Sequence, residues 1–399
     1  MRAYLTVWRL PSAPVLLLAG FAGRLPSSMV PLALLLMVQQ QTGSYAVAGL
    51  AAASLGIASA VMAPVLGRLA DRKGPRRILL TQAALYPLLL GLLVAVTLGG
   101  APDVAVVAAS ALAGATTPLV SGTVRALWSR TDPRSRSTAY ALDATATELV
   151  FVVGPTLVAT LAVLAEPAWA VAVAGVLAVV GALGIGRAAR SWVSAPAPST
   201  GLFTTVLAPG MPRVLVSGSA VMLGFGALEV AIPAFADSTG SPGISGVLLA
   251  VWSLGSVTGG LWFGARVMSA SLPRQYRWLL FGVTIGLAPL AWVSSPWALG
   301  VLLFLGGTAI APTLTVQNSL VGSLAPVHAT TEAFTWLSTI TVGASAVGAA
   351  LGGALIETEA GIPGALVLAC LGAAAAVVVT LVPGRRAPAA VVPREHVPA

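Results

Sequence analysis

The stretch GRLADRKGPRRILL, residues 67–80, carries five basic residues and one acid between two long apolar runs, in a chain that is only 8% charged. Such a cluster must lie in water, so both flanking runs must enter a membrane from the same side. The stretch therefore predicts a tight hairpin loop between two membrane-spanning helices. An ordinary basic loop would account for the charges, but it would leave Gly67, Gly74 and Asp71 unexplained.

Composition places the whole chain in a membrane. Of its 399 residues 57% are hydrophobic and the mean hydropathy is +0.94, whereas soluble domains are about 45 to 50% apolar. The net charge of +9 resides in short loops between apolar runs, which argues against nucleic-acid binding. With Cys370 as the single cysteine and His328 and His396 as the only histidines, we expect no metal site, cofactor or enzymatic activity.

Twelve apolar runs are long enough to cross a bilayer as helices. We therefore predict an all-α integral membrane protein with twelve transmembrane spans. In chain order the runs cover residues 12–38, 46–66, 78–98, 104–127, 138–164, 167–187, 214–236, 244–265, 277–294, 296–320, 330–356 and 362–382.

The basic residues set the orientation of these spans. All but Arg24 of the 21 lysine and arginine residues fall on the side of the termini, whereas the opposite loops carry only acids. By the positive-inside rule both termini are cytoplasmic. The arginine-rich composition, with Lys73 as the single lysine, favours a bacterial cytoplasmic membrane as the location.

An internal repeat divides the chain into two halves. The segment that begins at Leu112 aligns with the segment that begins at Leu305, and Thr42-Gly43-Ser44 aligns with Thr239-Gly240-Ser241 at a similar offset. Repeated halves are typical of secondary transporters. We predict six-helix bundles over residues 1–187 and 214–399, the second with a short cytoplasmic tail, joined by a cytoplasmic linker over 188–213.

The opening stretch resembles the signature G-x-L-A-D-R-x-G-(R/K)-(R/K)-x-x-L, which lies between the second and third spans of the major facilitator superfamily. The matching residues are Gly67, Leu69, Ala70, Asp71, Arg72, Gly74, Arg76 and Leu79. Pro75 departs from the signature, and Arg77 offers a compensating charge. The resemblance implies two pseudo-symmetric six-helix bundles and a function in transport.

In that superfamily the loop is a conformational latch. The resemblance implies that Asp71 meets the N-terminus of the eleventh span, where the helix dipole and free N–H groups favour an anion. Glu332 already lies in that first turn and could share the role. The resemblance also implies that the loop's basic residues reach acids near spans 4 and 5, so we assign Asp143 as a latch partner of Arg125 or Arg76.

Four ionisable residues lie within apolar spans, where each is costly and usually marks a pathway or a partner. They are Arg24, Asp143, Glu148 and Glu229. Because burial favours the neutral form of a carboxyl group, we hypothesise that Glu148 or Glu229 carries a coupled proton. Arg24 then pairs with a carboxylate or binds an anionic substrate group. The alternative is a fixed Arg24–Glu148 ion pair that only satisfies both charges.

The remaining candidates indicate the cargo and its direction. Polar or aromatic side chains that we expect along a central cavity are Ser27, Ser28, Thr117, Phe225, Trp252, Gln317, Asn318 and Trp336. The polar groups among them are fewer than a sugar carrier would need, so we predict proton-coupled efflux of an amphipathic organic molecule by a monomer. Gly154-Pro155 predicts a kink in span 5, and it is part of a motif found in exporters of the superfamily. The alternatives are proton-coupled uptake of an organic anion bound by Arg24 and a receptor or scaffold that does not transport.

Overall fold

The computed structural model describes residues 2–10, 12–191, 203–240, 244–266 and 268–382. These residues form fifteen α-helices and no strand. In chain order the helices are α1 Arg2–Trp8, α2 Ala13–Thr42, α3 Tyr45–Lys73, α4 Pro75–Leu98, α5 Asp103–Ala115, α6 Val120–Trp128, α7 Pro133–Leu164, α8 Pro167–Ala188, α9 Met211–Ser238, α10 Ile244–Gly264, α11 Leu272–Leu287, α12 Pro296–Gly307, α13 Ile310–Leu324, α14 Thr330–Ile356 and α15 Gly361–Leu381.

The described part of the chain contains eleven helical segments that are long and apolar enough to cross a membrane. The all-α membrane fold is thus confirmed, and the predicted ninth span is the one that differs. There α11 has 16 residues and continues as a five-residue 3₁₀ helix, Ala288–Trp292. Pro289 lacks the N–H that an α-helix needs at that point. The two pieces together are about 34 Å long, still enough to span the hydrocarbon core.

Spans 4 and 10 are each broken in the middle. In the first half α5 ends at Ala115 and α6 begins at Val120, and in the second half α12 ends at Gly307 and α13 begins at Ile310. The breaks occupy equivalent positions in the sequence repeat. The first break contains Pro118, which cannot donate a hydrogen bond to the preceding turn.

Gln82 of α4 satisfies the backbone groups that the first break leaves without helical partners. Its Nε2 donates to the carbonyl oxygen of Thr117 at 2.8 Å, and its Oε1 accepts from the backbone N–H of Leu119 at 3.2 Å. A buried amide in an apolar span is thus explained by the helix break beside it.

The same helix pairings recur in the two halves. Helix α2 packs on α8 as α9 packs on α15, and α3 packs on α5 as α10 packs on α12. Small residues allow the close contacts, since a Cβ on Gly181 would overlap the backbone of Gly23 and one on Gly224 would overlap that of Ala369. The bounds of the two bundles remain a prediction. Residues 192–202 of the predicted linker and 383–399 of the predicted tail lie outside the described residues.

The two halves meet mainly through α3, α6 and α7 on one side and α10, α13 and α14 on the other. We call the end of the bundle that carries the Gly74 reversal the basic end, and the opposite end, which carries Asp103 and Glu357, the acidic end. Near the basic end, Thr138 Oγ1 donates to the carbonyl oxygen of Gly264 at 2.7 Å. This bond joins α7 to α10 across the interface between the halves.

Candidate functional site

A cavity of about 570 Å³ lies between the two halves. Its walls come from α6 and α7 of the first half and from α9, α10, α13 and α14 of the second. The volume is in the range of small-molecule sites. Among its lining residues the charged groups are Arg125, Glu148 and Glu229, the aromatic ones Phe151, Phe225 and Trp252, and the amides Gln317 and Asn318.

The two carboxyl groups of the cavity come from opposite halves. Glu148 lies on α7, and its Oε1 accepts a hydrogen bond from Ser256 Oγ of α10 at 3.2 Å. Glu229 lies on α9 and lines the same cavity. Glu148 thus touches the half of the molecule opposite to its own.

An aromatic pair lies beside Glu229. Phe225 and Trp252 meet edge to face with ring centroids 5.5 Å apart, and both line the cavity. Phe225 precedes Glu229 by four residues on α9, so the two side chains share one face of the helix. One wall of the cavity therefore combines a carboxyl group with aromatic surface.

The amides lie on α13. Gln317 Nε2 donates to the carbonyl oxygen of Val214 at 3.5 Å, and Gly218 gives this side chain room, because a Cβ at Gly218 would overlap it. Asn318 is also buried and lines the cavity. These amides add hydrogen-bonding capacity to a wall that is otherwise mostly apolar.

A buried ionic cluster lies next to the cavity, inside the first half. Asp143 Oδ1 is 2.5 Å from Arg24 Nη2, and Asp143 Oδ2 is 3.2 Å from Arg125 Nε. Arg24 Nε also donates to Ser121 Oγ at 3.2 Å. Arg125 Nη1 reaches Ser338 Oγ of α14 at 3.4 Å, so the cluster contacts the second half as well.

This cluster rules out one pairing that the sequence left open and selects one of two others. The alternative of an Arg24–Glu148 ion pair is wrong, because Arg24 is bound to Asp143 instead. Five residues separate Asp143 from Glu148, which turns their side chains roughly 140° apart on one helix. Of the two latch partners considered for Asp143, the structure supplies Arg125 and not Arg76.

Four predicted cavity residues lie elsewhere. Ser28 Oγ joins α2 to α7 by donating to the carbonyl oxygen of Val150 at 3.0 Å, and Ser27 Oγ bonds the Arg24 carbonyl of its own helix. Thr117 lies at the break between α5 and α6. Trp336 packs on Phe203 near the basic end, with ring centroids 5.5 Å apart. None of the four is among the described lining residues.

The Gly154-Pro155 pair lies within a continuous helix. Helix α7 runs from Pro133 to Leu164 with Pro155 inside it. Gly154 lies against Ser28 of α2, whose side chain a Cβ would overlap. The glycine therefore permits close packing of α7 on α2, and the bend that the pair predicts stays a prediction.

Asp71 lies at the N-terminus of α14. Its carboxylate accepts the backbone N–H of Thr331 at 3.1 Å and that of Glu332 at 2.8 Å, and only 3% of the residue is exposed. The dipole of α14 and its unpaired N–H groups favour a negative charge there. The side chain of Glu332 turns away, with Oε2 3.9 Å from Arg68 Nε.

The loop glycines have separate geometric reasons. Gly74 is the single residue between α3 and α4 and has a φ of 89°, a conformation that favours glycine. Gly67 lies against α14, where a Cβ would overlap the Thr335 hydroxyl. The basic side chains Arg72, Arg76 and Arg77 are exposed and form no ion pair with a described residue.

Several residues that form contacts in the site were not predicted from the sequence. Ser256, Ser338 and Ser121 each bind a charged side chain of the site or its cluster. Serines are frequent in these spans, so nothing in the sequence distinguishes them. Arg68 could have been found as a fourth-residue neighbour of Arg72 on α3, and Gln82 as an amide in an apolar run.

The described residues combine eleven candidate membrane spans with a cavity between the two halves. Residues 16–213 match the sequence model of the Major Facilitator Superfamily. No curated protein sequence matches the chain. The first half thus matches the superfamily by sequence, and the chain as a whole has its fold, as solved structures show.

Three solved structures illustrate the similarity. A bacterial homologue of the iron transporter ferroportin, in an outward-facing state, has a TM-score of 0.77 at 15% identity, covering 93% of this chain and 99% of that one. The human organic anion transporter MFSD10 (TETRAN) has a TM-score of 0.73 at 16% identity, covering 93% and 100%. The transporter FucP in the outward conformation has a TM-score of 0.69 at 13% identity, and the match covers 94% of this chain and 99% of that one. These similarities establish the fold.

Proposed function

We propose that this protein is a proton-coupled secondary transporter that exports an amphipathic organic molecule by alternating access. The observation that carries the proposal is the cavity between the halves, with Glu148 of one half bound to Ser256 of the other. Alternating access requires that such an interface open and close around the substrate. A protonatable group that bridges the interface makes its opening depend on proton binding.

Glu148 is the proposed proton site. Of the two carboxyl groups in the cavity, it is the one with a described hydrogen bond to the opposite half. Its carboxyl group lines the cavity and can bind and release a proton. Loss of the proton places a charge at the interface, and the charge favours exposure to water.

The basic end is the proposed cytoplasmic side of a bacterial inner membrane, following the positive-inside rule. Asp71 holds the N-terminus of α14 at that end, and Thr339 Oγ1 of α14 donates to the carbonyl oxygen of Ala60 in α3 at 2.8 Å. These contacts support a state that is closed to the cytoplasm. The outward-facing states of the similar transporters agree with this assignment.

Uptake of an organic anion bound by Arg24 is the weaker proposal. The arginine is 4% exposed, its guanidinium already binds Asp143 and Ser121, and it is not among the described cavity residues. A substrate carboxylate would have to displace a buried ion pair in order to reach it. Apolar and aromatic lining around two glutamates favours an amphipathic molecule without a negative charge.

Inside-out membrane vesicles with an acidic interior test the proposal. We expect accumulation of at least one probe from a panel of ethidium, N-phenyl-1-naphthylamine and carboxyfluorescein, which are cationic, neutral and anionic. Glu148→Gln should abolish the dependence of accumulation on the pH gradient. Glu357→Gln, which alters an exposed loop carboxylate at the acidic end, is the matched control. Full coupling in Glu148→Gln would refute the assignment of the proton site.

A further inference from the structure

The charges in and beside the cavity do not balance. Arg24 and Arg125 share Asp143, so this cluster has a net charge of +1. Glu148 and Glu229 both line the cavity. With both glutamates ionised, the five groups carry a net charge of −1, and one added positive charge neutralises them.

Apart from the charged groups of the preceding paragraph, no titratable group in the described structure faces Glu148. Helices α10 and α13, which pack on α7, contain no charged residue. On α14 the first-turn Glu332 lies at the basic end beside Arg68. Arg125 of α6 and Glu229 of α9 are thus the charged residues that line the cavity with Glu148, and Arg24 and Asp143 adjoin Arg125 beside it.

We propose that the cavity binds one organic monocation in place of one proton, with Glu229, Phe225 and Trp252 forming the cation subsite. The proposal rests on the proposed function and specifies its substrate class. A cation gains from the ring faces of Phe225 and Trp252 and from the Glu229 carboxylate, which is exposed in the cavity. Because either a proton on Glu148 or a cation at Glu229 neutralises the site, the two compete.

The exchange balances in charge. Binding of the cation drives the proton off Glu148 into the open side, and reprotonation of Glu148 drives the cation out. One positive charge enters for each one that leaves, so a pH difference drives the exchange and the membrane potential does not. A monovalent organic anion would instead make the net charge −2 and is excluded by repulsion.

Binding to the purified full-length protein in detergent tests the subsite without transport. The probes are tetraphenylphosphonium and the size-matched anion tetraphenylborate, with triphenylphosphine oxide as a neutral analogue. We expect tetraphenylphosphonium to bind more tightly as pH rises, by up to about tenfold per pH unit. In weakly buffered solution each bound cation should release about one proton, as the competition requires. Tetraphenylborate binding as tight as that of the cation would overturn the proposal.

Two variants separate the roles of the glutamates. Glu229→Gln should weaken tetraphenylphosphonium binding about tenfold at high pH, because it removes the attraction between opposite charges in the cavity, while triphenylphosphine oxide binding stays unchanged. Glu148→Gln should bind the cation with the low-pH affinity of the wild type at every pH. Glu357→Gln should match the wild type. Wild-type cation affinity in Glu229→Gln would overturn the proposal.

The vesicle assay distinguishes a wrong assignment of the cation subsite from a wrong assignment of the function. Proton-driven movement of N-phenyl-1-naphthylamine without tetraphenylphosphonium binding would support the proposed transport function and overturn the proposed cation subsite. Cation binding with the expected pH dependence, but without flux of any probe, would sustain the subsite and refute transport.

Discussion

Replacing Asp71 by asparagine should release the contact between the α3–α4 reversal and the N-terminus of α14. The carboxylate accepts two backbone N–H groups, at 3.1 and 2.8 Å. A hydrogen bond to a charged group contributes about 1.5 to 3 kcal/mol, and a charge at a helix N-terminus adds about 0.3 to 1 kcal/mol. Asparagine keeps one acceptor oxygen, loses the charge and is less costly to bury.

The net loss is therefore about 2 kcal/mol of the free energy that favours the closed basic end, or about 30-fold in the equilibrium with the open state. A cysteine at Thr335, a residue that is 3% exposed and lies against Gly67, reports the opening through its rate of maleimide labelling. The background carries Cys370→Ser, which removes the single native cysteine.

We expect labelling of this reporter to become about 30-fold faster in Asp71→Asn. Asp103→Asn alters an exposed aspartate at the acidic end and should leave the rate unchanged. A labelling rate in Asp71→Asn within about twofold of the parent, which is less than about 0.5 kcal/mol, would refute the latch and return the loop to a simple basic hairpin.

Three further perturbations test the surrounding structure. Gly67→Ala should add a methyl group against Thr335 and destabilise the closed state by about 1 to 3 kcal/mol. Maleimide labelling of a cysteine placed elsewhere between α3 and α14 should then become faster. An unchanged labelling rate would argue against tight packing of α3 on α14. Asp143→Asn should leave the buried Arg24 and the partly buried Arg125 without their carboxylate and destabilise the fold by about 3 kcal/mol; a thermal midpoint equal to that of the wild type would contradict the ionic cluster. Phe203→Ala should free one face of Trp336 and increase its fluorescence quenching by iodide; quenching equal to that of the wild type would mean that the rings do not protect each other in solution.

The sequence predicts the helices well because membrane hydropathy is a strong signal over about 20 residues. It also places Gly74 at a reversal, since a short loop between packed helices needs a residue that tolerates a positive φ. The resemblance to the superfamily signature placed Asp71 near the N-terminus of α14, where its carboxylate lies. The role of this contact in transport remains a prediction.

Side-chain partners inside the membrane are harder to predict. The alternative of an Arg24–Glu148 pair is wrong because the choice between two carboxyl groups on α7 depends on rotation about the helix axis, which a nearly uniform apolar sequence does not fix. Trp336 was expected in the cavity, but it packs on Phe203. Phe203 lies in the predicted linker, and no periodic pattern there indicates which helix it contacts.

The most direct test of proton-coupled export is proton movement measured during substrate exit. Liposomes that contain the purified protein are loaded with ethidium and diluted into a weakly buffered, ethidium-free medium at the same pH, and an electrode follows the medium. We expect the medium to become alkaline as ethidium leaves through the wild type, and to stay constant with Glu148→Gln. Ethidium exit through the wild type without proton uptake, or wild-type proton uptake in Glu148→Gln, would contradict coupling through this cavity.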